Sequence, residues 1–537
     1  MKLLNLRIEK ADTCGGLLDG LFIPFRSEYV DTEIFDPLCL IGPNGSGKSQ
    51  LLQVIAEIFQ AIFHKYLPSE ERGTPNDGLE FEIEYLINAD ADPKTTKRVR
   101  IYRRSINKQK PDIIVEVFQD GGWQLVESSE AVSSLLPSKV VGYTSGGNET
   151  LSLPFFSSRA GYAEEVRTNA LDDAKKFDQI PDPRLLLIDY GTNLEVLVAN
   201  LLLNPDSVKT KLLSEPNLKS LRSFRCVVQL NHSAAPGREG VKLTDELEKY
   251  IEYLKCCATS YSFDEKQKSW AFDYFVTAAT YEAFEHYWPS GALELYGCFH
   301  KLAMLNDLII PKKAREQFQK GVKNGRFASR LPEPFDEQKV FRFERVVFIS
   351  NKSNQEVDYV SLSDGEHQLA QLLGTASMVS FPNVLFLLDE PESHFNPRWR
   401  VEFISKLRNL PINNNGDKRS GKSIVAQQEC LITTHSPFVP SDMRKENVLI
   451  FKKNSNTSAI DVRSPRIETY GSTFDAILDE CFGISPPISD LPRKEIENLL
   501  QSNDIDMIKH AMTRLGDSVD KLYLVDRIRE LSESKES

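Results

Sequence analysis

The string Gly42-Pro43-Asn44-Gly45-Ser46-Gly47-Lys48-Ser49 constrains this chain more than any other. It follows a short apolar run, Pro37-Leu38-Cys39-Leu40-Ile41, and precedes a stretch in which Leu51, Leu52, Ile55, Ile58 and Phe59 recur at helical spacing. The pattern G-x-x-x-x-G-K-[ST] is that of a phosphate-cradling loop. Its glycines let backbone N–H groups close around a phosphate without Cβ obstruction, and the helix that opens there turns its positive end toward the same anion. Asn44, Gly45, Ser46 and Gly47 thus form the cradle, Lys48 supplies charge to the β- and γ-phosphates, and Ser49 offers a hydroxyl to Mg²⁺. A buried strand, a glycine turn and an apolar-periodic helix, in that order, predict an α/β fold.

The rest of the composition narrows the class. The chain has 537 residues, 41% hydrophobic and 26% charged, which excludes wholesale disorder and leaves room for several folding units. No apolar run approaches the roughly 20 residues that span a bilayer, and Met1–Arg7 alternates instead of forming a signal-peptide core. No membrane partner is expected. The eight cysteines are scattered with no C-x-x-C pair, so a reducing, cytoplasmic compartment is expected. A net charge of −12 argues against nonspecific coating of nucleic acid but permits a local basic groove.

Four regions follow from the patterning. Residues 1–150 read as an N-terminal lobe with the phosphate loop and, from Leu79 to Val117, a layer of antiparallel hairpins. Residues 151–340 read as a mainly helical insertion. Strands return in 341–485, the strongest being Val384–Leu388 and Cys430–Thr433, and 486–537 reads as a polar helical tail. No internal repeat and no sustained heptad array is present.

The acidic counterpart of the phosphate loop is the apolar strand Val384–Leu388, followed by Asp389-Glu390-Pro391. Asp389 emerges at the strand's end to hold Mg²⁺ through water, and Glu390 stands where a carboxylate polarises the attacking water of phosphoryl transfer. Between the two motifs lies Leu362-Ser363-Asp364-Gly365-Glu366, ahead of a helical pattern. Here the chain resembles the ABC-type ATPases, whose signature reads L-S-G-G-Q, or L-S-x-G-E in the SMC, RecF and OLD relatives. The resemblance implies an ABC-type ATPase head, a P-loop NTPase with an antiparallel β layer and a largely helical insertion between loop and signature. It also implies ATP and Mg²⁺ as ligands, and a head-to-tail homodimer or an oligomer of dimers. In that assembly Ser363 and Gly365 complete the site of the opposite subunit. The string Cys430-Leu431-Ile432-Thr433-Thr434-His435-Ser436-Pro437 fits the same family, whose switch histidine bonds the γ-phosphate; this would be His435. The family's Q-loop glutamine has no counterpart in Val140–Glu149, a Gly-rich segment at about its place. Glu392-Ser393-His394-Phe395-Asn396-Pro397 occupies the D-loop position.

Lys48 and Ser363 stand 315 residues apart, farther than is common in transporter ATPases, with no coiled-coil arm between them. After His435 only 102 residues remain, with no acidic triad of the Toprim kind carried by OLD nucleases. Val140–Leu151 (V-V-G-Y-T-S-G-G-N-E-T-L) and Glu468–Phe474 resemble the restriction-system-associated ATPases, most closely the PtuA group of Septu-type and retron-linked antiphage systems. The resemblance implies an HNH nuclease of the PtuB type as partner. A RecF-like DNA-clamping head, or a nucleotide-sensing scaffold of slow turnover, are the other readings. Two basic segments bear on DNA: Arg98, Arg100 and Arg104 alternate along a predicted strand, and Lys312, Lys313 and Arg315 open a second cluster. Either could contact phosphates or be a solvated face.

Overall fold

Period-two alternation in three apolar strands, Leu38–Ile41, Val384–Asp389 and Glu429–Thr434, divides the core in two. In the computed structural model, which describes residues 1–27, 35–88, 96–105, 111–145, 149–232, 240–311, 313–314, 317, 320, 334–409, 427–454, 459–485 and 487–536, these strands lie side by side in one sheet. That sheet holds β3 (Leu38–Ile41), β8 (Lys139–Thr144), β9 (Leu185–Ile188), β15 (Val384–Asp389), β16 (Glu429–Thr434), β17 (Val448–Lys453) and β18 (Ile460–Arg463), in the order β18-β17-β3-β16-β15-β8-β9. All neighbours are parallel except β17 and β18. Leu38, Leu40, Leu385, Leu387 and Leu431 face one core, while Cys39, Ile41, Phe386, Leu388, Cys430 and Ile432 face the other. Both faces are covered, as parallel sheets require.

The first core is closed by a six-stranded antiparallel sheet: β1 (Lys2–Lys10), β2 (Leu21–Pro24), β4 (Glu80–Asn88), β5 (Thr96–Arg103), β6 (Ile113–Gln119) and β7 (Gly122–Leu125), ordered β2-β1-β4-β5-β6-β7. The helix Lys48–Tyr66 contributes Leu51, Leu52, Ile55, Phe59 and Phe63 to the same core, and its buried positions extend round to its polar side. Gln53, Glu57 and Gln60 are therefore buried too, and each has partners: Gln53 and Asn76 donate to Glu57 at 2.8 and 3.0 Å, and Gln60 donates to the Pro154 carbonyl at 2.9 Å. A second tie joins this sheet to β16. The Glu429 carboxylate, fully buried, accepts from Arg26 at 2.9 Å and from the Leu3 N–H at 2.8 Å. Burial alone would raise its pKa, but Arg26 and Lys2 overcome this and hold it below the usual range. Glu429→Ala leaves Arg26 buried without its counter-charge, so a stability loss of about 3–5 kcal/mol is expected in urea unfolding. A loss below about 1 kcal/mol would mean that the pair is solvated.

The stretch 151–340, expected to be mainly helical, does carry long helices such as Asn193–Leu203 and Ala292–Met304, but β9 also lies in it and joins the parallel sheet. So do three strands of a third, antiparallel sheet: β10 (Leu218–Gln229), β11 (Ser260–Asp264) and β12 (Ser269–Phe275), with β13 (Phe341–Ser350) and β14 (Glu356–Asp358) in the order β11-β12-β10-β13-β14. The alternation of Trp270, Phe272 and Tyr274 is the strand signal that neighbouring helical patterns obscured. The tail forms helices Asp490–Gln501, Ile505–Met512 and Val519–Glu536 around a small core of Ile496, Leu499, Ile508 and Leu524. No helix among the described residues is long and apolar enough to cross a membrane.

Candidate functional site

Strand order brings the sequence motifs together. β16 lies between β3 and β15, so Thr433 pairs with Leu40 on one side and with Asp389 on the other. The phosphate loop, the acidic turn and the residues before His435 therefore emerge at one end of three adjacent strands. Gly42 has φ 152°, and a Cβ there would sit 2.1 Å from the Phe451 carbonyl oxygen, so β17 closes the loop's base against any larger residue. Gly45 and Gly47 have φ 74° and 88°, which turn the loop back over the start of the helix Lys48–Tyr66. Asn44 and Gly45 are exposed at the tip and Ser46 is buried. Lys48 is 4% exposed; its Nζ donates to the Gly42 and Pro43 carbonyls at 2.9 and 3.1 Å. Burial pushes the Lys48 ammonium down to about 8, against the attraction of Glu390 and Asp389.

Asp389 meets the loop through oxygen. Its Oδ1 accepts from Ser49 Oγ at 2.8 Å and from Thr433 Oγ1 at 2.6 Å. Two hard oxygens this close, one a carboxylate, fit Mg²⁺, which takes one or two protein ligands and completes its shell with water and phosphate. Glu390 adopts φ 46°, uncommon for a residue other than glycine, and its N–H donates to Thr433 Oγ1 at 3.0 Å. Its Oε1 lies 3.0 Å from His435 Nε2, which is itself 3.2 Å from Lys48 Nζ. The hydrogen bond with His435 holds the Glu390 carboxyl below its ordinary range, against partial burial. Glu390 therefore stays ionised as an acceptor.

Thr433 was not among the residues singled out from sequence, although one hydroxyl joins Asp389 to the Glu390 backbone. Its only signal is a polar Thr-Thr pair closing an apolar strand before His435. Thr434 acts one residue on, donating to the buried Glu392 and accepting from the Ser436 N–H at 2.9 Å. Burial pushes Glu392 up to about 7.

Ser363 caps the helix Asp364–Met378 from an exposed position, its N–H and Oγ both 2.8 Å from Glu366 Oε2. Gly365 is buried, and a Cβ there would lie 2.7 Å from the His394 carbonyl oxygen. The start of this helix thus rests bare backbone on the segment following Glu390. Two glutamines of the same helix, unforeseen from sequence, reach the parallel sheet: Gln368 donates to the Ser145 carbonyl just past β8, and Gln371 to the Asp189 carbonyl just past β9. Gly146, Gly147 and Asn148 of the segment in place of the Q-loop lie outside the described residues.

The basic row on β5 does share one face, but its charges are met. Arg98 lies 2.8 Å from Glu84, Arg100 Nε lies 2.8 Å from Glu116, and Arg104, just past the strand, pairs with Glu82. Trp123 lies beneath the Arg98 and Arg100 guanidinium groups at 5.3 and 4.2 Å. A nucleic-acid phosphate would compete with a carboxylate at each position. Lys313 is exposed, and Lys312 and Arg315 lie outside the described residues.

Residues 299–442 match a family model described as "AAA domain, putative AbiEii toxin, Type IV TA system". The matched span contains Ser363, Gly365, Asp389, Glu390 and His435, and it begins well after the loop 42–49. The match supports a P-loop ATPase domain of the AAA kind, and with it nucleotide binding and ATPase activity.

Proposed function

We propose that this chain is an ABC/SMC-type ATPase head that works as the nucleotide-driven subunit of an antiphage complex and controls a partner HNH nuclease. The observation that carries the ATPase reading is the continuous set of contacts from Lys48 through His435 and Glu390, and from Ser49 through Asp389 to Thr433. In it, the loop N–H groups and Lys48 hold the phosphates of ATP, and Ser49 and Asp389 hold Mg²⁺, which neutralises phosphate charge when bound. Glu390, kept ionised, accepts the proton of the attacking water, and His435 orients that carboxylate beside Lys48. Ser363 and Gly365 offer their helix N-terminus to the ATP of a second copy, so the heads pair head-to-tail, and hydrolysis loosens them.

The defence role is supported by the toxin and toxin–antitoxin terms in the matched family's description and by the likeness of Val140–Leu151 to PtuA-group ATPases. Co-expression with an adjacent HNH-type reading frame tests it. A stable complex whose nuclease activity changes with ATP is expected; a chain that binds no such partner and acts on DNA alone would favour the RecF-like reading. DNA enters the proposal through the nuclease. Because Glu82, Glu84 and Glu116 already compensate the β5 row, the triple change Arg98→Gln, Arg100→Gln, Arg104→Gln is expected to leave DNA affinity and its salt dependence within about twofold of the parent. A flatter salt dependence would return this face to phosphate contact, since each lost contact removes released counterions.

A further inference from the structure

Among the described residues, the five-stranded sheet ends in an edge without the usual protection. β11 reads Ser260-Tyr261-Ser262-Phe263-Asp264, all five residues exposed, and pairs with β12 over five consecutive positions without a bulge. It contains no proline or lysine, the residues that commonly blunt such edges, and its one charge, Asp264, stands at its end. Tyr261 and Phe263 project from one face, 52% and 45% exposed, and lean on Trp270 with ring centroids at 6.0 and 4.3 Å. Lys255 Nζ lies 5.3 Å from the Tyr261 ring centroid. Two other sheet edges differ: β2 ends at Pro24, and the Trp123 ring of β7 is covered by Arg98 and Arg100.

We propose that β11 is a homotypic docking edge, which pairs antiparallel with β11 of a second copy and joins two five-stranded sheets into one. The occupant follows from self-complementarity. A two-fold axis through Ser262 sets Tyr261 against Phe263 of the second copy, an aromatic cross-strand pair repeated on both sides of the axis, and Ser260 against Asp264. Asp264, the only charge in the strand, then faces a serine, and the two Asp264 carboxylates lie about 13 Å apart at opposite ends. For chains of net charge −12, this nearly neutral strip is a surface on which two copies meet with little repulsion. β14, the strand that leads into Ser363, is at the opposite edge of the same sheet. The pairing therefore leaves the signature free and is compatible with nucleotide-driven contact between heads. Five residues make a small interface, and its effect is greatest when a second contact raises the local concentration.

Disulfide trapping on the full chain, without nucleotide and in a Cys256→Ser background, tests the register. Ser262→Cys stands on the axis, its Cβ about 4.5–5.5 Å from its symmetry mate, and oxidation is expected to yield a covalent dimer. Ser260→Cys, about 13 Å from its own mate, is expected to remain monomeric alone and to cross-link when mixed with Asp264→Cys. Phe263→Lys added to Ser262→Cys is expected to reduce the trapped dimer by about tenfold or more, with an unchanged far-ultraviolet dichroism spectrum. Absence of trapping at Ser262→Cys, equal trapping at Ser260→Cys and Ser262→Cys, or no effect of Phe263→Lys would each overturn the proposal. These outcomes do not depend on ATP hydrolysis, so they stand or fall apart from the function proposed above.

Discussion

Glu390→Gln should retain ATP binding and lose turnover by about 10²–10⁴-fold, the scale expected when a positioned base is removed. The amide preserves the side chain's size and its contact with His435 Nε2, 3.0 Å away in the parent, but it cannot take a proton from water. Lys48→Ala should behave differently. It removes the buried ammonium at the loop itself, so binding is lost together with turnover. Equilibrium binding of a fluorescent ATP analogue beside a phosphate-release assay separates the two. Near-normal hydrolysis by Glu390→Gln would remove Glu390 from the role of base.

The second large effect concerns sites shared between copies. Ser363→Arg sets a bulky cation at an exposed helix cap, and in the proposed assembly that cap must approach the γ-phosphate of a neighbouring head. The variant should bind ATP in its own loop and fail to hydrolyse it. Mixed with Lys48→Ala, it forms heterodimers in which one site has both defects and the other has an intact loop facing an intact signature. Activity should therefore reappear in the mixture although neither variant has it alone. Full activity of Ser363→Arg by itself would contradict the shared site, and verified heterodimers with no recovered activity would point to strict coupling of the two sites or to a site built within one chain.

What could be read from sequence was what is local in the chain. The loop 42–49 needs its glycines and lysine at fixed spacing, and Val384–Asp389 is an apolar run closed by an acid, so both were visible without knowing the fold. Thr433 was not, because its hydroxyl acquires a role only when β16 is inserted between β3 and β15, a consequence of strand order. Gln368 was hidden for the same reason: its partner, the Ser145 carbonyl, is 223 residues away in the chain. The arginines of β5 illustrate the converse. Their alternation was legible, and so was that of Glu82 and Glu84, yet only the strand registers show that β4 meets Arg98 and Arg104 while Glu116 of β6 meets Arg100. In 151–340, the helical patterns around β10–β12 outweighed strand signals of ordinary strength.

The position of the signature at the end of the third sheet has a mechanical consequence. Along the order β11-β12-β10-β13-β14, four inter-strand steps of about 4.8 Å separate the two edges, a span of about 19 Å. The middle of that span is the long β10–β13 ladder, which ties the two edges together across three register irregularities. A tilt of about 10° pivoting at β14 carries β11 through about 3 Å, more than enough to break or align a hydrogen-bonded ladder. In the proposed assembly, where a second copy's nucleotide meets the helix cap at Ser363, a small rotation of that cap would thus become a displacement at β11, the opposite edge of the same sheet.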